Sequence, residues 1–436
     1  MEENRLGTAE WANPVEFAKA HRFQRGVFWL GRSPVSGVPI GHLDDRHICL
    51  ISGTRGGKGT TSIIPNLCTW PGSAVVVDPK GENATITAKH RATDLGQRVH
   101  VLDPFSASKN TDALRSRFNP LDALKIDDPM TIDEAGRLAD AIVVKNPNAN
   151  DPYWDESART LVKGLILHVL TSQTYEGRRN LLTVRQLITR GDHEGVDLLR
   201  ANGVEKPVPA QVLLWDAVAH NDAFGGVVAG IGERILAMHT SSPKQFESVI
   251  QVASRNTEFL DSDGMRRCLE ASDFTLADLK TSEKGVSVYL SLPQRYMGEH
   301  FRWLRMMITL IVGEMEAVPG QPKSGHPVLM CLDEFAGLKR LESLENAVAQ
   351  IAGYGVKLLF VLQSLEQLKQ HYGDVWETFL SNAGIKVAFS IEDHFTREYL
   401  SKLIGETELI REMQSASTTT GESSSTGTSS STNTGR

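Results

Sequence analysis

From about residue 46 onward the chain repeats one pattern: a short apolar run that breaks into glycine and polar residues, then a stretch with helical spacing. HICLIS opens the series, with Ile48, Leu50 and Ile51 reading as a buried parallel strand. GSAVVVDPKGE supplies a second strand and RVHVLDP (98–104) a third, while TSIIPNLCTW between the first two reads as helix despite Pro65. Strands alternating with helical segments imply parallel pairing with helices on both sheet faces. Residues 1 to about 46 are mixed, with turn signals at Ser33-Pro34 and Val38-Pro39.

Between about 130 and 275 the texture changes. ESARTLVKGLILHVL places Ala158, Leu161, Val162, Leu165, Ile166 and Val169 at helical spacing, and 134–144, 210–219 and 243–260 behave similarly. Strand texture returns in GVSVYLSLP (285–293), HPVLMCLDE (326–334), VKLLFVLQS (356–364) and IKVAFSIED (385–393). The predicted class is α/β, a parallel-rich central sheet written in two blocks, 1–130 and 276–411, and interrupted by an all-α insert at 131–275. Residues 412–436 become almost pure Ser, Thr and Gly after Ser415. Without an apolar anchor to repay chain entropy they are expected to form a disordered tail or linker.

Composition narrows the function. A chain of 436 residues has room for about two or three domain equivalents and a large core without disulfides. A net charge of −7 argues against a broadly basic surface that coats nucleic acid, so any DNA contact must be local, on loops or in a channel. Cys49, Cys68, Cys268 and Cys331 are scattered without C-x-x-C spacing and read as buried thiols of a reducing compartment. No run of about 18 apolar residues occurs, nor a charged-then-apolar leader, so a soluble, cytosolic chain is expected.

The chemistry concentrates where the apolar runs end. After the first strand, SGTRGGKGTT (52–61) wraps Gly53, Gly56, Gly57 and Gly59 around Lys58, as a phosphate-binding loop does. Ser52 stands where the first glycine of the general motif belongs, and Gly59 stands where a magnesium-binding hydroxyl is expected. Thr60 or Thr61 is placed to supply that hydroxyl instead. A glycine-rich turn with one exposed lysine is the plainer alternative. A phosphate loop needs an acidic partner at the end of a buried strand, and Asp333-Glu334 follow Val328–Leu332 directly. Asp333 would bind magnesium and Glu334 would polarise an attacking water, giving hydrolysis; alone, the pair also reads as helix N-terminal acids. Gln363 ends the next strand, either as a hydrogen-bonded cap or as a sensor of the γ-phosphate and its water. Asp78, Lys80 and Glu82 sit at the same edge, as ligand contacts or as turn chemistry.

At this point the chain resembles the type IV secretion coupling proteins, the TraG/TraD-like conjugative ATPases. HICLISGTRGGKGTTSIIPNLCTWPGSAVVVDPKGEN is similar to their nucleotide-binding core, and the likeness continues through FNPLD (118–122), DPYWDESAR (151–159), SDFTLADL (272–279), VYLSLP, LDEFAGL (332–338), GYGVKLLFVLQS and KVAFSIEDHFT. The glycine after Lys58 is normal for this family. Gly53 replaces its common proline and Gly56 its common serine, which should leave phosphate binding intact.

The resemblance implies a RecA-like P-loop domain interrupted by an all-α domain, assembled as a hexameric ring around a channel. It implies ATP and Mg2+ as cofactors. ATP would lie against the loop Ser52, Gly53, Thr54, Arg55, Gly56, Gly57, Lys58, Gly59 and Thr60, with the metal on Thr60 and Asp333. Glu334 would then activate water and Gln363 would report the γ-phosphate. Partners would be relaxase-linked single-stranded DNA, protein effectors or both, together with the secretion channel, at the cytoplasmic face of a bacterial inner membrane. Arg295, Arg340 and Arg397 are candidates for an arginine acting on a neighbouring subunit. Members usually carry N-terminal transmembrane helices, and this chain begins just past where they would end, as a shortened form or a membrane-free relative would. A docking platform whose nucleotide serves assembly, and a DNA pump for segregation or packaging, are the alternative functions.

Overall fold

The computed structural model describes Ala9, residues 11–144 and 151–406, and the backbone of 410–415 and 429–434. Phe28–Arg32 (β1) and Pro39–His42 (β2) pair antiparallel across the turn that Ser33-Pro34 and Val38-Pro39 signal. Seven further strands make one sheet: His47–Ser52 (β3), Ala74–Asp78 (β4), Arg98–Leu102 (β5), Val286–Ser291 (β6), Val328–Leu332 (β7), Val356–Leu362 (β8) and Ala383–Phe389 (β9). Their order is β5-β6-β4-β7-β8-β3-β9, and every pairing is parallel. The class is α/β. The five inner strands are buried along their whole length, whereas the edge strands β5 and β9 are partly open. That is why the inner five read as unbroken apolar runs.

Successive side chains of a strand point to opposite faces, and the two faces carry separate cores. On one, Ile48, Leu50, Val76, Cys331 and Val361 pack with Leu67, Ala84 and Ala88 of helices Ile64–Thr69 and Glu82–Thr93. On the other, Cys49, Ile51, Val77, Met330 and Phe360 lie in one core with Leu304, Ile308 and Ile311 of helix Met297–Ala317. This second core continues without a break through helices Thr131–Ile142 and Tyr153–Thr171 to Trp215 and Val249. Among the described residues only helices and loops occur between β5 and β6. Helix Tyr153–Thr171 is buried over most of its length because its neighbours surround it. Close approach is enforced at Gly232, where a Cβ would stand 2.4 Å from the Ala219 nitrogen. No helix among the described residues is long and apolar enough to cross a membrane.

Pro65 is accommodated by a wide π turn, Gly59–Ile63, that precedes helix Ile64–Thr69. A proline has no N–H to donate and crowds the carbonyl four residues back, so it suits the first turn of a helix. The pattern did not predict the start of helix Ala223–Ser241, where Phe224, Gly225 and Gly226 are left-handed. The tail, expected to be disordered from 412 onward, differs in its described backbone: Ile410–Ser415 pairs antiparallel with Ser429–Thr434. A backbone ladder needs no apolar anchor to form, and threonine favours strands, so composition alone did not exclude it. Residues 416–428, 435 and 436 lie outside the described residues.

Arg91, fully buried in helix Glu82–Thr93, ties the two blocks of the sheet together. Its guanidinium donates to the carbonyls of Leu67, Trp70 and Gly72 and, at 2.6 Å, to the Ser287 hydroxyl on β6. Arg91→Leu takes the guanidinium donor from the buried Leu67 and Trp70 carbonyls, while Gly72 and Ser287 keep Gln97, and is expected to cost about 3 kcal/mol. Urea denaturation checks it; an unchanged midpoint and slope would show that the carbonyls find other donors.

Candidate active site

The strand order brings the carboxyl ends of β3, β8 and β7 side by side, with β8 between the strand that enters the glycine-rich loop and the strand that ends in Asp333-Glu334. In an open parallel sheet this edge is where ligands bind. Lys58 reaches across it, its Nζ donating to Glu334 Oε1 at 2.9 Å and standing 3.6 Å from Asp333 Oδ1. The amide of Gln363 donates to the other Glu334 oxygen at 2.7 Å, and the Thr54 hydroxyl donates to Gln363 Oε1 at 3.3 Å. Thr54 and Lys58 belong to one loop, so the four side chains close a circuit over three strand ends.

The loop backbone is held from outside itself. Gly53 N–H donates to the Ser390 carbonyl at 3.1 Å, and Gly56 N–H folds back to the Gly53 carbonyl at 3.1 Å. At Gly56 an added Cβ would lie 2.9 Å from the Ser390 Cβ and 2.3 Å from the Ser52 hydroxyl, so a larger residue there needs its neighbours to shift. That hydroxyl is buried beneath the loop and has no partner among the described residues. Seven non-glycine residues are left-handed among those described, and three stand here: Arg55, Glu334 and Ser390. Such conformations cost about 1–3 kcal/mol each and gather where function demands them. The hydroxyls of Thr60 and Thr61 both donate to the Gly57 carbonyl, at 3.1 and 2.8 Å, and neither hydrogen-bonds Asp333. Gly53, Thr54, Arg55, Gly56, Gly57 and Lys58 make the loop, between Ser52 at the end of β3 and Gly59 at the start of the π turn. Thr60 is the one candidate metal residue that is not brought to its acidic partner.

Burial raises the Asp333 carboxyl above its ordinary range, with the Glu334 charge adding and Lys58 opposing. Asp78, at the end of β4 beside β7, is pushed up to about 6, first by burial and also by the Asp333 charge, against N–H donors that include Ala84 at 2.8 Å. The sequence pointed to Asp78 as a ligand contact or a turn residue; its proximity to Asp333 was not legible there. The role of Ser390 was missed altogether, since nothing in FSIED marks a carbonyl anchor. Lys80 is exposed, yet its charge acts on Asp333. Glu82 sits exposed in the first turn of its helix, after left-handed Gly81. Of the arginines, Arg340 is paired with Glu345 at 3.0 Å, Arg295 lies over the Tyr296 ring, and Arg397 is exposed on helix His394–Ile404.

The family described as Type IV secretory system Conjugative DNA transfer matches residues 11–436. The chain belongs to that family. Conjugal transfer protein TraG of Escherichia coli is 27% identical over 440 residues, 94% of this chain and 66% of TraG. Protein VirD4 of Agrobacterium fabrum (strain C58 / ATCC 33970) is 27% identical over 417 residues, 92% of this chain and 56% of VirD4. The chain thus spans between 56% and 66% of the length of these two relatives. Among solved structures, plasmid coupling protein TrwB in complex with the non-hydrolysable ATP analogue ADPNP superposes with a TM-score of 0.64 at 16% identity, over 93% of this chain and 85% of TrwB. That likeness is one of fold: the RecA-like P-loop architecture.

The Asp78 geometry carries a pH signature. A carboxyl raised in the folded state binds its proton more tightly than in the unfolded chain, so stability falls as pH rises from the ordinary value of 3.8 to about 6, then levels. Asp78→Asn keeps an acceptor for Ala84 N–H and removes that loss. Its stability relative to the unaltered protein should improve between about pH 4 and about pH 7. Denaturation midpoints that run parallel across that range would refute the shift.

Proposed function

We propose that the chain is the ATP-hydrolysing motor portion of a type IV secretion coupling protein. It would recruit relaxase-linked single-stranded DNA, protein effectors or both, and drive them toward the secretion channel at the cytoplasmic face of a bacterial inner membrane. The observation that carries this reading is the closed circuit of Lys58, Glu334, Gln363 and Thr54 at one sheet edge. In it the phosphate-directed lysine is held by the carboxylate that would act on water. When ATP binds, Lys58 would exchange Glu334 for the β- and γ-phosphates, and the loop N–H groups from Gly53 to Gly59 would take the remaining oxygens. Glu334, released from Lys58 and still oriented by Gln363, would accept the proton of the attacking water. Gln363 touches both Glu334 and Thr54, so the phosphate loop and the base would report to each other through one amide.

The residues fit Mg2+ as an ion brought with ATP. Asp333 offers a carboxylate whose burial and acidic neighbour favour a nearby cation, and Thr60 would offer the hydroxyl that here donates to the Gly57 carbonyl. Among the described residues no three acidic, His or Cys side chains form a cage, which suits a metal that keeps waters and phosphate oxygens. Bound there, the ion would neutralise charge developing between the β- and γ-phosphates. We read 1–130 with 276–411 as the nucleotide-binding unit, 131–275 as the helical unit, and the active assembly as a hexameric ring whose sites are completed by an arginine of the adjacent subunit.

Lys58→Ala should abolish hydrolysis, and wild-type turnover in that variant would sink the phosphate-loop assignment. Glu334→Gln should bind ATP at least as tightly as the unaltered chain, because Lys58 no longer leaves a carboxylate, while turnover falls by about 10²–10⁴. Loss of ATP binding there would make Glu334 structural.

Turnover per chain should also rise with protein concentration and with single-stranded DNA, and the DNA effect should fade with added salt. Flat activity on both axes, with a monomer in sedimentation, would favour the docking platform.

A further inference from the structure

A second site lies away from the Lys58 circuit. Helix Thr131–Ile142, helix Met297–Ala317 and the segment 339–350 enclose a cavity of about 760 Å³ that shares no residue with that circuit. A volume of this size is typical of small-molecule sites. One end is cationic. Arg305, 6% exposed, donates through Nη1 to the carbonyls of Leu338 and Arg340; among the described residues its buried Nε has no partner and its Nη2 makes no hydrogen bond. Lys339 is exposed, left-handed, and holds its ammonium 4.2 Å from the Phe301 ring centre. Among the described residues neither cation has a carboxylate at ion-pair distance.

Two of the three acids of the lining face other arginines. Asp140 pairs with Arg159 at 2.8 Å, and Glu316 lies 3.8 Å from Arg137. Glu342 remains, one carboxylate against Arg305, Lys339 and the nearby Arg302. Burial, together with the charges of Arg302 and Arg305, lowers the Lys339 ammonium below its ordinary range, as crowded cations without a counter-ion require. The Thr309 and Ser343 hydroxyls, 3.0 Å apart, add donors on the wall, while Val143 and Leu341 add apolar surface.

This end is also tied to Glu334. The turn Phe335–Leu338 runs directly from Glu334 to Lys339, and both flanking residues are left-handed, at φ 56 and φ 57. Arg305 grips its far end through two carbonyls, so a ligand that draws Arg305 or Lys339 pulls on the element that aims Glu334.

We propose that this cavity binds a small phosphate-bearing molecule through Arg305 and Lys339, and that its occupancy sets the activity of Glu334 through the turn 335–338. A guanidinium with a free nitrogen and an adjacent ammonium match phosphate oxygens better than a single carboxylate, and the apolar wall takes the body of the ligand. The regulatory half rests on the hydrolysis reading above; the binding half does not.

The test uses pyrophosphate on the full chain carrying Lys58→Ala, which removes the charged donor of the phosphate loop. Titration calorimetry should find one site, weakened about tenfold or more by adding Lys339→Gln, and weakened also by Arg305→Lys, which keeps the charge but loses the fork. Circular dichroism confirms that each variant is folded. No binding in the Lys58→Ala chain, or binding indifferent to Lys339→Gln, would overturn the site. In the unaltered chain at saturating ATP, pyrophosphate should change kcat, and Lys339→Gln should remove the change. Binding with an unmoved kcat would overturn the coupling, whereas binding by a chain that hydrolyses no ATP would overturn the motor reading and leave the site standing.

Discussion

The ion pair between Lys58 and Glu334 is the contact on which the sheet edge is organised. Its partners are 276 residues apart, 2.9 Å from each other, and only 13% and 21% exposed. They meet across β8, so the pair exists only when β3, β8 and β7 are all in register. In that register Ile51 lies opposite Leu362, and Leu332 opposite Phe360. A slip by one residue would turn every side chain of a strand to the wrong face, and both faces here are buried. Correct packing of two cores therefore enforces the meeting of the charges. Without Lys58, the carboxylates of Asp333 and Glu334 would stand together near a buried Asp78 with much of their compensation gone.

Local strain is distributed to serve that contact. Glu334 is left-handed, and the residue just past β9 that anchors the glycine-rich loop, Ser390, is left-handed too. Neither is a glycine, so each conformation must be held by its surroundings. For Glu334 those surroundings are Lys58 and Gln363 on the side chain and, at the end of its turn, Arg305 from helix Met297–Ala317. That helix lies in the same core as Thr131–Ile142 and Tyr153–Thr171. The helices between β5 and β6 are thus mechanically continuous with the carboxylate, through packed side chains and one buried guanidinium.

The likeness to TrwB, 16% identity at a TM-score of 0.64, shows that chains sharing few residues reach one fold. Strands covered on both faces need apolar residues of about the right size, and many combinations satisfy that. The loop is less forgiving in its own way. A side chain at Gly56 would crowd the Ser52 hydroxyl beneath it, so the residue at one position limits what its neighbour in space can be.

Much of this was written in the local pattern. A strand buried on both faces must be an unbroken apolar run, so the inner strands were legible, as was their alternation with helices. The ends of such strands are the only places in a parallel sheet where polar residues gather, which is how Lys58, Asp333, Glu334 and Gln363 stood out. The two strands beside the signalled turn of β1–β2, the left-handed turn at Phe224 and the pairing in the tail were not legible, because backbone conformation there follows neighbours in space more than hydrophobic spacing. Nor was strand order: nothing in VKLLFVLQ says that β8 inserts between β3 and β7. That insertion made Thr54 the partner of Gln363, while the neighbours β4–β7 and β3–β9 set Asp78 near Asp333 and gave Gly53 the Ser390 carbonyl just past β9. The sequence by itself determined which residues are buried and where each run ends, since burial and turn chemistry act over a few residues. Which ends face one another was decided only by the tertiary structure, because it depends on crossovers and register that no short stretch contains.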